Sequence, residues 1–283
     1  MTRRPALLVL ATVSLCLLAS RGATPPHQRL ALGSFGRGPT VVLVHGLGSR
    51  SEHWLPMARD LARDHRVVLV DLPGHGLSEL PNPLTLTAAA AMLDRALAEL
   101  GDEPVVLVGH SVGGLVCAEE ALHSPERVRA LVLVETALRP QFAPADRAAL
   151  AAALALDYDG TLRATYESFG RDSVQGAKLA AEVSQLDPAM IRPWITLAVS
   201  ADLSSEVGRL TMPVLAILAP HTWEVDETWA ACAESLGYGR IPRLTGLRID
   251  DSGHFVMLDH PRTLANAVRG FARRASAPVL AAR

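Results

Sequence analysis

Aromatic side chains make up only 4% of this 283-residue chain, so a core must be filled mainly by Ala, Leu and Val. Neither sign of charge dominates. The 27 basic and 29 acidic residues leave a formal net charge of −2, which removes the electrostatic footprint of a nucleic-acid-binding surface. Lysine is almost missing: Lys178 stands alone among arginines, a coding bias without mechanistic content. Cysteine is confined to Cys16, Cys117 and Cys232. No thiolate metal motif results, and Cys117 and Cys232 are read as buried free thiols rather than a pair. The ten histidines include no H-E-x-x-H and no other paired ligand spacing, so no metal and no cofactor is expected. What is abundant is apolar. Hydrophobic residues reach 49% against 20% charged, which excludes wholesale disorder and suits one large domain or a domain carrying an insertion.

The N-terminus reads as an export signal. Arg3 and Arg4 precede an apolar or small run from Ala6 to Ala19, followed by Ser20-Arg21-Gly22-Ala23. Cleavage after Gly22 is expected, giving a signal at 1–22 and a periplasmic or secreted protein; the alternative is an uncleaved membrane anchor. The run is short for a membrane-spanning helix, so no stable insertion is expected after cleavage.

Beyond it, strands alternate with helices. Short Val/Leu-rich runs at 40–44, 66–70, 105–108, 130–134 and 213–218 have the composition of strands buried on both faces of a parallel sheet. Residues 247–250 supply a last strand and 27–35 one or two antiparallel edge strands. Helical stretches are expected at 52–63, 85–100, 111–123, 223–236 and 261–274. The fold class is therefore α/β, a doubly wound and mostly parallel sheet. Between Arg139 and Arg209 no strand candidate occurs, and Ala-rich helical segments fall at 145–156, 161–169, 174–186 and 189–199. The chain thus divides into a first core part at 23–138, an inserted helical cap at 139–209, a second core part at 210–274 and a flexible tail at 275–283.

The chemistry gathers at strand ends. The strand at 105–108 runs into Gly109-His110-Ser111-Val112-Gly113 and a helix. That is G-x-S-x-G in its strand–turn–helix setting. Gly109 and Gly113 keep Cβ atoms away from a sharp turn, and Ser111 projects at a helix N-terminus that favours a developing oxyanion. His45-Gly46-Leu47-Gly48 follows the strand at 41–44, so the amides of Leu47 and Val112 are candidate oxyanion donors. His45 is read as a loop-holding residue, and so is His75, within Asp71-Leu72-Pro73-Gly74-His75-Gly76-Leu77-Ser78. His254, in Asp251-Ser252-Gly253-His254-Phe255 after the last strand, is the candidate general base. His260 is assigned to the surface.

Taken in chain order, the four landmarks His45-Gly46, Asp71 to Ser78, the Ser111 elbow and Gly253-His254 resemble the α/β-hydrolase superfamily over roughly residues 27–274. The resemblance implies a serine nucleophile, an oxyanion hole, a triad in the order Ser, acid, His, and a helical lid. One segment departs from the pattern. The loop after 213–218 reads Ala219-Pro220-His221-Thr222-Trp223-Glu224-Val225-Asp226, and the family's usual acid position falls near Thr222. The acid is then either Glu135, after the preceding strand, or a residue of the longer loop, Glu224 or Asp226; Glu135 is preferred. Asp250 and Asp251 are expected to bond local backbone.

The expected function is that of an exported serine hydrolase acting on a small-molecule carboxylic ester or lactone, with Ser111, His254 and Glu135 as triad and His110 as elbow support. Other serine-triad chemistry (C–C, thioester or amide hydrolysis, perhydrolysis) and a non-catalytic ligand-binding role are the alternatives. Trp194, Phe142, Tyr158, Tyr166 and Phe169 either line an apolar pocket or pack the cap onto the core.

Overall fold

The computed structural model describes residues 29–276. The expected export signal at 1–22 and most of the expected tail lie outside the described residues. Seven strands form one sheet: β1 (Leu32–Gly36), β2 (Thr40–Val44), β3 (Arg66–Val70), β4 (Val105–His110), β5 (Val128–Val134), β6 (Val214–Leu218) and β7 (Leu244–Arg248), in the order β1-β3-β2-β4-β5-β6-β7. Among the described residues only β1 runs antiparallel, pairing with β3. The other pairings are parallel, with Val41 opposite Val106 and Val108 opposite Val132.

The central strands are apolar at almost every position because both sheet faces are covered. β4 is buried throughout, and the Val and Leu residues of β2, β4 and β5 are all but inaccessible. The covering helices are α1 (Leu55–Leu61), α2 (Leu86–Leu100), α3 (Val112–His123), α8 (Trp229–Ser235), α9 (Val256–Asp259) and α10 (Pro261–Ser276), with α4 (Pro144–Leu156), α5 (Tyr158–Ser168), α6 (Ser173–Val183) and α7 (Pro188–Ser200) lying between β5 and β6. The Ala/Leu-rich α2 starts at Thr85, whose hydroxyl accepts from the Ala88 amide at 3.0 Å and so satisfies one of the amides a helix start leaves open. Cys117 and Cys232 are both buried and free.

Several expected boundaries shift. The last strand is Leu244–Arg248, not 247–250. As an edge strand with partly exposed residues it lacks an apolar run, and Gly246 belongs to it because the Trp229 ring packs on its backbone. The helix expected over 223–236 forms only as α8: Thr228 caps it, and residues 223–228 form a loop closed by the Trp223 indole N–H donating to the Glu227 carbonyl at 2.9 Å. The expected helix 52–63 divides into a 3₁₀ turn, Ser51–Trp54, and α1, with Pro56 in the first turn of the helix. At the N-terminal edge one described strand forms, from Leu32, and α10 continues past Arg274 to Ser276.

Strand β2 is followed by β3 on one side, and the chain then crosses to β4 on the other. Open α/β sheets bind ligands outside the strand C-termini at such a switch point, and the loops carrying Leu47 and Ser111 meet there. Among the described residues no helix is long and apolar enough to cross a membrane.

Candidate active site

Ser111 follows the last residue of β4 with φ 51° and ψ −125°. A non-glycine residue pays for such a conformation in strain, and three contacts hold it. The Ser111 amide donates to the Val134 carbonyl at 2.9 Å, while the Ser111 carbonyl accepts from the Gly114 amide at 2.9 Å and from the Thr136 hydroxyl at 3.1 Å. Glycine is required at the flanking positions by close approach: a Cβ on Gly109 would meet the Gly114 backbone, and one on Gly113 would run into the His45 carbonyl oxygen.

Beside the elbow, His45 and His75 tie the loops after β2 and β3 together. His45 Nδ1 donates to the Gly46 carbonyl at 2.8 Å, and its Nε2 accepts from the Leu72 amide at 3.0 Å. His75 Nε2 accepts from the Gly48 amide at 3.2 Å. Burial lowers the pKa of both, that of His75 to about 4. Both therefore stay neutral, in keeping with bonds in which one ring nitrogen must accept.

Glu135 follows β5 with φ 50°. Its amide continues the ladder by donating to the Ile217 carbonyl at 2.9 Å, and its buried carboxylate reaches over the end of β6. Oε1 accepts from the Ala219 amide at 2.6 Å, and Oε2 from the Thr222 hydroxyl at 2.9 Å. Oε2 also faces His254 Nδ1 at 3.1 Å and His221 Nε2 at 2.9 Å. Burial by itself would raise the pKa of this carboxyl; the hydrogen bonds and charges of His221 and His254 outweigh it and bring the value to about 2. The carboxylate is thus ionised and only accepts, so a neutral His254 ring carries its proton on Nδ1 and leaves Nε2 bare.

The His254 ring is held on other sides too. It stacks on Phe169 with centroids 4.6 Å apart, its amide donates to the Phe169 carbonyl at 3.0 Å, and its own carbonyl accepts from His110 Nε2 at 2.9 Å. Burial depresses the His110 pKa well below the usual value, so this ring is neutral and its single proton sits on Nε2. Asp259 fixes the same loop, accepting from the Gly253 amide at 2.9 Å and from Gln175 Nε2 at 2.6 Å.

Ser111, His254, Leu47 and Val112 share the wall of one cavity of about 190 Å³. The remaining wall is mostly apolar and comes largely from the three helices α4 (Pro144–Leu156), α5 (Tyr158–Ser168) and α7 (Pro188–Ser200) and the segments next to them, with no residue from α6 (Ser173–Val183). Phe142, Tyr166 and Phe169 face the cavity. Tyr166 also donates its hydroxyl to the Leu47 carbonyl at 2.7 Å, which ties α5 to the loop after β2. Trp194 instead packs, fully buried, with its indole N–H on the Pro73 carbonyl at 2.9 Å. Tyr158 lies under the Arg192 guanidinium, 4.3 Å from ring centroid to Cζ.

The arrangement therefore gathers Ser111, His254, Glu135, Leu47, Val112 and His110, and leaves Asp226 out. Asp226 and Glu224 are exposed on the loop after β6, and the acid in contact with His254 is Glu135. Thr222, at the family's usual acid position, donates to that carboxylate rather than replacing it. Asp250 accepts from the Arg248 side chain at 2.8 Å rather than from local backbone. Sequence reasoning gave His221 and Asp259 no role. The signal for His221 was its place one residue before the usual acid position.

A family model for the alpha/beta hydrolase fold matches residues 39–261. Two curated relatives bear on the chemistry. Polyketide synthase ThaQ of Burkholderia thailandensis is 32% identical over 87% of this chain, which spans only 12% of that protein. The pimeloyl-[acyl-carrier protein] methyl ester esterase of Aeromonas salmonicida is 27% identical over 84% of this chain and 96% of its own length. Among solved structures, Est816, described as an N-acyl homoserine lactone degrading enzyme, superposes with a TM-score of 0.75 at 22% identity, covering 87% of this chain and 100% of that one. At that identity the likeness speaks for the fold alone.

Proposed function

Since the chain belongs to the alpha/beta hydrolase fold family, we propose that it is a serine hydrolase that cleaves carboxylic esters or lactones through an acyl-enzyme on Ser111. The observation that carries this reading is the buried, ionised Glu135 carboxylate 3.1 Å from His254 Nδ1, with Ser111 and His254 on the wall of one apolar cavity. In this mechanism Ser111 Oγ attacks the carbonyl carbon while its proton passes to His254 Nε2. Glu135 holds the tautomer and stabilises the imidazolium. The Leu47 and Val112 amides receive the oxyanion, each donor contributing about 10²–10³-fold in rate. The imidazolium then protonates the leaving alkoxide, and a water molecule activated by Nε2 hydrolyses the acyl-enzyme.

Residues 139–209 act as a cap whose apolar side chains select the acyl group. The name of the Aeromonas salmonicida relative as a methyl ester esterase supports the ester part of this substrate class. Export rests on the N-terminal pattern alone, and a mature N-terminus at Ala23 is the result expected from sequencing the protein recovered outside the cytoplasm.

The test is a p-nitrophenyl ester chain-length series, together with acyl lactones, on the wild type and Ser111→Ala, with fluorophosphonate labelling in parallel. Turnover and labelling that both depend on Ser111 are expected. Absence of Ser111-dependent labelling would overturn the reading.

A further inference from the structure

Two histidines share one carboxylate oxygen. Glu135 Oε2 has His254 Nδ1 at 3.1 Å on one side and His221 Nε2 at 2.9 Å on the other, and one ligand atom from each of the three residues lies within 4.8 Å of the others. A serine triad needs only the first of these contacts. The three residues come from three neighbouring strand ends, those of β5, β6 and β7, so the cluster is assembled by the sheet and not by a flexible segment.

We propose that Glu135, His221 and His254 form a binding site for a divalent cation of the zinc class, and that filling it switches the hydrolase off. The donor set is two imidazoles and a carboxylate, which suits zinc. Metal–ligand bonds of about 2.0–2.1 Å at tetrahedral angles separate ligand atoms by roughly 3.3 Å. The observed contacts of 2.9 and 3.1 Å need to open by a few tenths of an ångström, and the two ring nitrogens, which lie within 4.8 Å of each other, need to close around the ion. The Ala219 amide on Oε1, at 2.6 Å, keeps the carboxylate oriented as an outer partner does in metal sites. The His221 side chain is 49% exposed, which provides an entry path.

The proton balance explains the inhibition. At rest His254 carries its proton on Nδ1, towards Glu135. A cation bound at Nδ1 displaces that proton, and the neutral ring then holds it on Nε2, the nitrogen that must be bare to accept from Ser111. The His221 proton on Nε2 is displaced likewise, to its own Nδ1 from a neutral ring or to solvent from an imidazolium. Nothing is oxidised or reduced, and the ion is no cofactor of the hydrolysis.

The loss of activity rests on the proposed role of His254, whereas ion binding does not, so the test reads both. Tag-free full-length protein at neutral pH is titrated with Zn²⁺ against a chromogenic chelator, and ester hydrolysis is followed on the same samples. The wild type is expected to bind one ion per chain, to lose hydrolysis as the site fills and to recover it with EDTA. His221→Gln keeps an N–H donor for Glu135 but lacks the imidazole ligand. It is expected to bind Zn²⁺ at least about tenfold more weakly, with its inhibition displaced in parallel and judged against its own metal-free rate. A wild type that binds no ion, binding without inhibition, or equal affinity in His221→Gln would each overturn the inference. Stoichiometric binding by a protein that hydrolyses no ester would keep the site and reject the hydrolase reading; hydrolysis without binding would do the reverse.

Discussion

The nucleophile elbow and the helices between β5 and β6 face each other across one cavity, yet they are built differently. At the elbow, backbone meets backbone: Gly113 sits against the His45 carbonyl and Gly109 against Gly114, with no room for a methyl group. Among the inserted helices backbone approaches backbone at Gly170 and Gly176, where α5 meets α6, but the residues facing the cavity make contact through side chains and the surface is loosely covered. Leu154 is the only buried residue of α4, while Leu156 and Val174 are 90% and 80% exposed. The proposed reacting groups are thus placed by a frame with little slack, whereas the apolar wall opposite them is placed by side chains whose exchange the frame can survive.

Breaking the electrostatic heart of the frame has the largest effect expected. Glu135→Gln removes the charge that holds the His254 tautomer, and kcat should fall about 10⁴-fold. Asp226→Asn, on the exposed loop, should stay within about twofold in the same assay. Equal losses in the two variants would dismantle the assignment of Glu135.

Acid should attack the frame before the insertion. His45, His75 and His110, all in the frame, are kept neutral by burial, His75 down to about pH 4. As pH falls below about 6.5 the unfolded chain takes up protons that the folded one refuses. Stability should therefore drop by about 1.4 kcal/mol per pH unit for each such histidine. Glu135 adds to this only lower down: its stabilisation is complete above its ordinary pKa of 4.5 and is lost as pH falls towards about 2. Chemical denaturation between pH 7 and pH 4 reads the slope, and a flat profile would contradict it.

Gly113→Ala should cost about 1–3 kcal/mol, because the new methyl group meets a carbonyl that only backbone movement can displace; thermal unfolding measures it. In the insertion, Leu154→Ala enlarges the cavity wall and should move the preference in kcat/KM towards longer acyl chains by about tenfold. Apart from the Asp226→Asn control, the smallest effect expected is for Tyr166→Phe. It loses the hydroxyl bond to the Leu47 carbonyl, worth about 0.5–1.5 kcal/mol, and should lower kcat several-fold with little change in KM. A Tyr166→Phe loss as large as that of Glu135→Gln would mean that the insertion belongs to the rigid frame after all.

Legibility in the sequence followed the same division. The buried strands at the centre of the sheet were readable because burial on both faces demands unbroken Val and Leu, and the elbow because its glycines are sterically obligatory. β7 begins three residues before the expected 247–250 because an edge strand carries no such demand. The helix around 223–236 was drawn too long because Trp223 and the residues after it satisfy their bonds within a loop. Residues between 139 and 209 announced helices through Ala-rich runs, but not which aromatics face the cavity: Tyr166 and Phe169 do, while Trp194 does not.

The local sequence determined what depends on local sterics and on burial of a single segment: the α/β alternation, the strained turn at Ser111 and the loop bearing His254. Tertiary structure alone decided what depends on distance between segments remote in the chain. Glu135, not Asp226, reaches His254, because the end of β5 lies under the loop after β7 while the loop after β6 turns its own carboxylates to solvent. The same convergence of strand ends sets His221 beside Glu135. No periodicity or motif encodes that contact, since 86 positions of chain separate the two residues and only the parallel stacking of strands closes the gap.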